Sequence, residues 1–371
     1  MIDWAGLQSE VLSNPALEKQ IGENELRDHL PAHVWFTTSG TTRRARRWVG
    51  LSKAALLVSA AAANRHLQVS EDDRWLLALP DFHVGGVGIL ARAYLAKNPV
   101  IHYSGDWQPD SFTKMCESQK ITLTSLVPTQ VYDLVRANLS APSSLRAAVI
   151  GGGALNAELY QQARKLGWPI LPSFGMTECS SQIATANLQS LNESFLPQLE
   201  ILNHVSCRMD EDGRLELKSE ALLTTYAEWQ ETGWDFFDPK IDGWFKSEDR
   251  AQIDGGFLKP LGRISQQTKV LGELVDLARL EESLQAHLTQ MKLPMTATLI
   301  AQPHPRLQTQ IDLVASTQSA DAFTLAQKLK LVFDQTVLPF ERSQNLYIVD
   351  KIPQTPLGKV VRLELLDQLG F

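Results

Sequence analysis

Between Ile121 and Phe174, short β-prone runs alternate with helical patterns, and proline or glycine marks nearly every switch. Ile121 to Val127 predicts a strand that stops at Pro128, followed by a helix over Thr129 to Ala137. Ala147 to Ile150 predicts a second strand, closed by Gly151-Gly152-Gly153. Asn156 to Leu166 predicts a helix with Gly167 at its end, and Pro169 to Pro172 a third short strand leading into Phe174-Gly175. Neighbouring parallel strands need a crossover between them, usually a helix. The alternation therefore predicts an α/β fold with a parallel sheet, whose ligands would bind at the carboxyl ends of the strands.

The flanks are read the same way. Leu7 to Leu30 has helical spacing and predicts short surface helices. Val34 to Thr37 predicts a strand, Ser52 caps a helix through Ala54 to Leu67, and Trp75 to Leu79 predicts a buried strand ended by Pro80-Asp81. From about Leu199 the texture changes to hairpins, with strands at Arg214 to Lys218 and Gly255 to Leu258. Beyond Gly262-Arg263 come helices at Leu277 to Leu288 and Ala322 to Val337, and strands at Ala297 to Ala301, Ile311 to Ala315 and Leu346 to Val349. This predicts a large N-terminal domain over 1–263 and a small α+β C-terminal domain over 264–371.

Composition excludes several classes. With 44% hydrophobic residues in 371, the chain can bury a large core, so disorder is excluded as its main state. A net charge of −7 argues against a nucleic-acid partner. Cys116, Cys179 and Cys207 are widely spaced, which argues against a cysteine zinc site or a disulfide scaffold and fits a reducing cytoplasm. The start, Met1-Ile2-Asp3-Trp4, does not read as a signal peptide, and the apolar stretch from Ala54 to Ala63 is too short to span a bilayer. The expected location is cytoplasmic; oligomeric state, including a homo-oligomer, stays open.

Three segments carry chemistry. Thr37-Thr38-Ser39-Gly40-Thr41-Thr42 brings hydroxyls and a glycine beside Arg43, Arg44, Arg46 and Arg47. Its N–H and O–H groups can surround phosphate oxygens, although a solvated basic turn reads similarly. Ser173-Phe174-Gly175-Met176-Thr177-Glu178 follows a strand; Glu178 suits Mg²⁺ as one of its few carboxylate ligands, or complements a helix N-terminus. Pro353-Gln354-Thr355-Pro356-Leu357-Gly358-Lys359 is a rigid loop that presents one lysine, either to developing charge or to solvent.

In this order the three segments resemble the acyl-adenylate-forming superfamily, which includes acyl-CoA synthetases, adenylation domains and luciferases. Further matches fall between them: Leu79-Pro80-Asp81-Phe82-His83, Gly151-Gly152-Gly153-Ala154, Gly243-Trp244-Phe245-Lys246-Ser247-Glu248-Asp249, Leu261-Gly262-Arg263, and Lys269 to Glu273. The run Ser173 to Thr185, with Ser180-Ser181-Gln182-Ile183, is similar to the o-succinylbenzoate–CoA ligase subgroup of menaquinone synthesis.

The resemblance implies an adenylate-forming enzyme fold: mixed and parallel sheets flanked by helices, plus the small domain. It implies ATP, Mg²⁺ and coenzyme A, a small aromatic carboxylate, and two half-reactions through an acyl-adenylate. Thr38, Ser39, Gly40, Thr41, Thr42 and Arg46 would hold phosphates, and Glu178 the metal. Gly151, Gly152, Ser173, Phe174, Gly175, Met176 and Thr177 would line the nucleotide site. Asp249 and Arg263 would hold the ribose. Lys359 would bridge carboxylate and α-phosphate. His83 would gate the acyl pocket, or else be a core histidine with satisfied hydrogen bonds. Ser180, Ser181 and Gln182 would face the acyl group, or cap a helix. Gly272 would make room for the pantetheine arm.

Departures from the family pattern are Arg43 and Arg47 where glycines are usual, Glu248 beside Asp249, Ser265 at the hinge, and only 36 residues before Thr37. The last predicts that much of an N-terminal subdomain is missing. Two other readings therefore stand beside the ligase: transfer of the acyl group to a non-CoA acceptor, and a catalytically impaired nucleotide- or acyl-binding protein.

Overall fold

The computed structural model describes residues 2–12, 23–37, 47–230, 233–263, 267–270, 273–304, 307–319, 321–355 and 358–371. The chain divides into two compact units. One comprises Met1–Ser247 with Ala251–Pro260, the other Glu248–Arg250 with Leu261–Phe371.

The first unit is built on two sheets. The parallel array expected between Ile121 and Phe174 forms the end of an 11-stranded sheet, in the order Ile170–Met176, Ala147–Ile150, Leu123–Leu126, Trp75–Leu77, Val100–His102. Helices Pro128–Arg136 and Ala157–Lys165 are the crossovers, the second capped by the Asn156 side chain, which accepts the Leu159 N–H at 2.7 Å. All four residues of Ala147–Ile150 are buried, which explains why that strand reads as an unbroken apolar run. The rest of this sheet is antiparallel, continuing from Ile170–Met176 through Ser181–Thr185 and Leu199–Ile201 to the hairpin strands.

The other sheet orders Glu10–Leu12, His33–Thr37, Arg47–Ser52, Thr225–Gln230 and Gly233–Phe237. Here the helical expectation for the start of the chain is half wrong. Glu23–His29 is a helix, but Glu10–Leu12 is a strand lying parallel to Val34–Phe36. Pairing with a sheet edge overrides the local spacing. Ser52 caps helix Lys53–His66 as expected, accepting the Ala55 N–H at 3.0 Å.

In the second unit, Glu273–Asp276, Gln267–Val270, Gln308–Ser316 and Thr296–His304 form a sheet to which Leu346–Ile348 adds in parallel. Helices Leu277–Gln290 and Ala322–Thr336 bury Leu280, Leu284, Leu329 and Phe333 against one face. Helix Arg362–Leu369 buries Leu365 with Ile300, Val314 and Ile352. Among the described residues no helix is long and apolar enough to cross a membrane.

Candidate active site

Three predicted segments leave the first unit at the carboxyl ends of parallel strands. Leu79 to His83 follows Trp75–Leu77, Gly151 to Gly153 follows Ala147–Ile150, and Ser173 to Glu178 lies at the end of Ile170–Met176. Parallel strands end on one edge, so the fold brings these segments to a common rim, where open α/β sheets bind ligands. Gly151 donates to the Leu126 carbonyl at 3.1 Å. Gly152 has φ +78°, and a Cβ there would approach Val127 to 3.3 Å.

The Ser173–Glu178 segment departs from expectation. Its strand does not stop at Pro172 but runs to Met176, and no α-helix follows. Thr177–Cys179 is a single 3₁₀ turn, Ser180 sits at φ 52°, and Ser181, at φ 96°, opens a strand that runs back antiparallel. The helix-cap alternative for Ser180, Ser181 and Gln182, and the helix N-terminus alternative for Glu178, are therefore both corrected. Gly175 makes this reversal possible. The register shifts between Phe174 and Gly175, and a Cβ at 175 would overlap the carbonyl oxygen of Ser181. Gly175→Ala is accordingly expected to destabilise the fold by more than about 3 kcal/mol, read as a fall in the urea midpoint; an unchanged midpoint would contradict this packing.

The polar residues of the reversal have different partners. Buried Ser180 spends its hydroxyl on the Ala221 carbonyl at 2.7 Å. Gln182 donates to Thr185 Oγ1 at 2.6 Å and Ser173 Oγ at 3.4 Å, while its buried Oε1 has no hydrogen-bond partner among the described residues. Glu178 Oε1 accepts the Tyr226 hydroxyl at 3.0 Å, and its backbone carbonyl accepts the Leu223 N–H at 2.8 Å. Above the Tyr226 ring, 4.5 Å from its centroid, lies the guanidinium of Arg47, which pairs with Glu228 at 2.5 Å.

His83 is the N-cap residue of helix Val84–Ala96, but its side chain makes no capping bond. Among the described residues its buried Nε2 has no hydrogen-bond partner, and burial lowers its pKa. This removes the alternative of a core histidine with satisfied hydrogen bonds. On the same helix, Arg92 is only 2% exposed. Its guanidinium reaches Ser125 Oγ at 3.4 Å and lies 5.7 Å from the Trp75 ring centroid, its Nε has no partner, and no acidic side chain among the described residues pairs with it. Burial lowers its pKa to about 10. A Cβ on Gly88 would lie 3.2 Å from Arg92 Nη2 and 3.4 Å from Ser181 Oγ, so the missing side chain lets both groups approach the helix backbone closely.

In the second unit, Asp249 Oδ1 meets Arg263 Nε at 3.3 Å. Burial raises the Asp249 pKa, against the opposing pull of Arg263 and Lys359. The lysine loop closes on itself. The Thr355 N–H donates to the Lys359 carbonyl at 2.7 Å, Gly358 at φ 76° donates to the Thr355 carbonyl, and the Lys359 N–H donates to Thr355 Oγ1 at 3.1 Å. Burial first, then Arg263 and Arg362, lowers the Lys359 pKa to about 8, with Asp249 opposing. Arg362 is in turn held by Glu281 at 3.3 Å.

Thr38, Ser39, Gly40, Thr41, Thr42, Arg46 and Gly272, together with Arg43 and Ser265, lie outside the described residues. The sequence reading missed Tyr226, Glu228 and Arg92, and left Arg47 without a role. Only Arg92 carried a signal, as the sole charged residue of an apolar helix. Among the described residues no group of three His, Cys, Asp or Glu can hold a metal. A lone positioned carboxylate fits a magnesium ion held mostly by phosphate oxygens and water, not one caged by protein.

Residues 7–204, more than half of the chain, match the AMP-binding enzyme family. The 2-succinylbenzoate–CoA ligase of Bacillus licheniformis is 31% identical over 261 residues, 67% of this chain and 53% of that protein. The one from Bacillus pumilus is 31% identical over 276 residues, 71% of this chain and 55% of that protein. The chain thus spans about half the length of these curated relatives. Among solved structures, o-succinylbenzoate CoA synthetase (MenE) from Bacillus subtilis in complex with OSB-AMP superposes with a TM-score of 0.74 at 23% identity, covering 90% of this chain and 68% of that one. ATP-bound MatB from Rhodopseudomonas palustris gives 0.73 at 20% identity, over 90% and 67%. These likenesses establish the adenylate-forming enzyme fold. With the family match, they lead to one statement: the chain belongs to the AMP-binding enzyme family.

Proposed function

We propose that this chain is an ATP-dependent, AMP-forming acyl-CoA ligase that converts o-succinylbenzoate to its CoA thioester, as the names of its curated relatives suggest. The observation that carries the choice of acid is Arg92. A buried guanidinium with no acidic partner among the described residues is costly unless a bound anion completes it. o-Succinylbenzoate has two carboxylates. One is activated; the other remains charged through both half-reactions and needs a permanent cation. Arg92 Nη2 and Ser181 Oγ both lie beside Gly88, which supports a shared hold on that carboxylate.

In this reading, residues 1–263 hold ATP and the acid, and residues 264–371 form the mobile domain that brings Lys359 to the reaction. The segment Thr38 to Thr42 with Arg46 takes the phosphates. Gly151, Gly152 and Ser173 to Thr177 line the nucleotide, and Asp249, oriented by Arg263, accepts hydrogen bonds from the ribose hydroxyls. Glu178 is the protein ligand for Mg²⁺, which neutralises phosphate charge when bound. Lys359 places its ammonium between the attacking carboxylate and the α-phosphate, where charge builds as the adenylate forms. Burial disfavours the charged form of His83, which suits a side chain that swings between acid and thiol without dragging a charge. Gly272 leaves room for the pantetheine arm of CoA. The setting is a cytoplasmic one, with small molecules as partners.

The test is pyrophosphate release from Mg·ATP with o-succinylbenzoate or with 4-oxo-4-phenylbutanoate, which lacks only the ring carboxylate. A site that binds the second carboxylate should prefer the diacid by on the order of 10²-fold in kcat/KM. Equal use of the two acids would overturn the assignment.

A further inference from the structure

Glu178 is the one protein ligand proposed for the metal, and a single glutamate is a flexible one. Something must hold it. We propose that Tyr226, clamped by Arg47 and Glu228, is a positioning residue that aims the Glu178 carboxylate at the magnesium–nucleotide complex. The proposal rests on the reading of Glu178 given above.

The argument runs along one strand. In Thr225–Gln230, Tyr226 and Glu228 are two residues apart and so project from the same face. In the neighbouring antiparallel strand, Arg47 stands directly opposite Glu228. The ion pair at 2.5 Å and the guanidinium 4.5 Å from the Tyr226 ring centroid join these three side chains into one stack. Tyr226 is 5% exposed, and its hydroxyl donates to Glu178 Oε1 at 3.0 Å. The Leu223 N–H holds the Glu178 backbone at 2.8 Å, so one short segment fixes both ends of the glutamate.

The chemistry of the donor matters. An arginine or lysine in the place of Tyr226 would orient the carboxylate but cancel its charge. A phenol orients it without bringing a charge of its own. Arg47 is also the residue that leaves the Thr38–Arg46 segment, where the resembling family has glycine. Arg47, Glu228, Tyr226 and Glu178 thereby form one connected network.

The experiment is calorimetric titration of ATP into the full chain, in Mg²⁺ and in EDTA. A hydrogen bond to a charged group sets the scale. Tyr226→Phe should weaken ATP binding by about tenfold in Mg²⁺ and leave binding in EDTA unchanged. In a Glu178→Gln background the same change should add almost nothing, because Tyr226 acts through Glu178. Glu228→Gln, which loosens Arg47 but keeps the phenol, should give a smaller loss confined to Mg²⁺. Wild-type affinity of Tyr226→Phe in Mg²⁺, an equal loss in EDTA, or full additivity with Glu178→Gln would overturn the proposal while leaving the Glu178 reading intact. If the wild-type chain binds ATP no better in Mg²⁺ than in EDTA, the Glu178 reading itself falls and takes the proposal with it.

Discussion

Replacing Arg92 by methionine is expected to move stability and activity in opposite directions. Among the described residues, the buried positive charge of Arg92 has polar contacts only with the Ser125 hydroxyl at 3.4 Å and the distant face of Trp75. Methionine has similar length, no charge and a flexible thioether that fills irregular space. Removing an uncompensated buried charge should stabilise the fold by about 1–2 kcal/mol, seen as a melting temperature a few degrees higher. The same change should lower kcat/KM for o-succinylbenzoate on the order of 10²-fold or more, because the second carboxylate would lie against an apolar wall. Activity on 4-oxo-4-phenylbutanoate should change little, since that acid leaves the guanidinium unused. A variant that is both less stable and equally poor on both acids would mean that Arg92 is a structural element of the helix.

The second large effect belongs to Lys359. Lys359→Ala should reduce adenylate formation on the order of 10²-fold, the scale for losing one preorganised donor to transition-state charge. The wild-type enzyme should show a pH signature of the same group. Burial together with Arg263 and Arg362 lowers the lysine to about 8, so the free enzyme loses this charge as pH rises through that value. The profile of kcat/KM for adenylation should fall above about pH 8, because it reports the free enzyme. The profile of kcat should fall at higher pH, because bound carboxylate and phosphate favour the charged lysine. Arg362→Gln removes one neighbouring charge and should move the kcat/KM limb upward. A flat profile from pH 7 to 9.5 would contradict this role.

What could be read in the sequence follows from where the information lies. The parallel strands and their crossovers were legible because proline, glycine and short apolar runs mark each of them locally. Ala147–Ile150 begins and ends where expected, and the C-terminal elements Leu277–Gln290, Thr296–His304 and Ala322–Thr336 enclose their predicted cores. Glu10–Leu12 was not legible, because a three-residue strand exists only through its partner at Val34–Phe36. Nor was Ser181–Thr185, where polar residues are buried by the reversal at Gly175 and the residues before it adopt conformations that no propensity favours. The motif residues Glu178, Asp249, Arg263 and Lys359 were legible as a pattern. Their partners were not. Tyr226 reaches Glu178 from a strand far along the chain, and Glu281 reaches Arg362 from another helix. Arg92 shows the same limit from the other side, because its charge is visible in the sequence but its burial is not.

The most direct test of the account is mass detection of the product formed from o-succinylbenzoate, Mg·ATP and the purified chain, with and without coenzyme A. The account predicts acyl-adenylate and pyrophosphate without CoA, and the CoA thioester with AMP when CoA is added. Adenylate that persists unchanged in the presence of CoA would assign the acyl group to another acceptor. No pyrophosphate and no adenylate, from a folded chain that still binds ATP, would contradict the ligase and leave a nucleotide-binding protein.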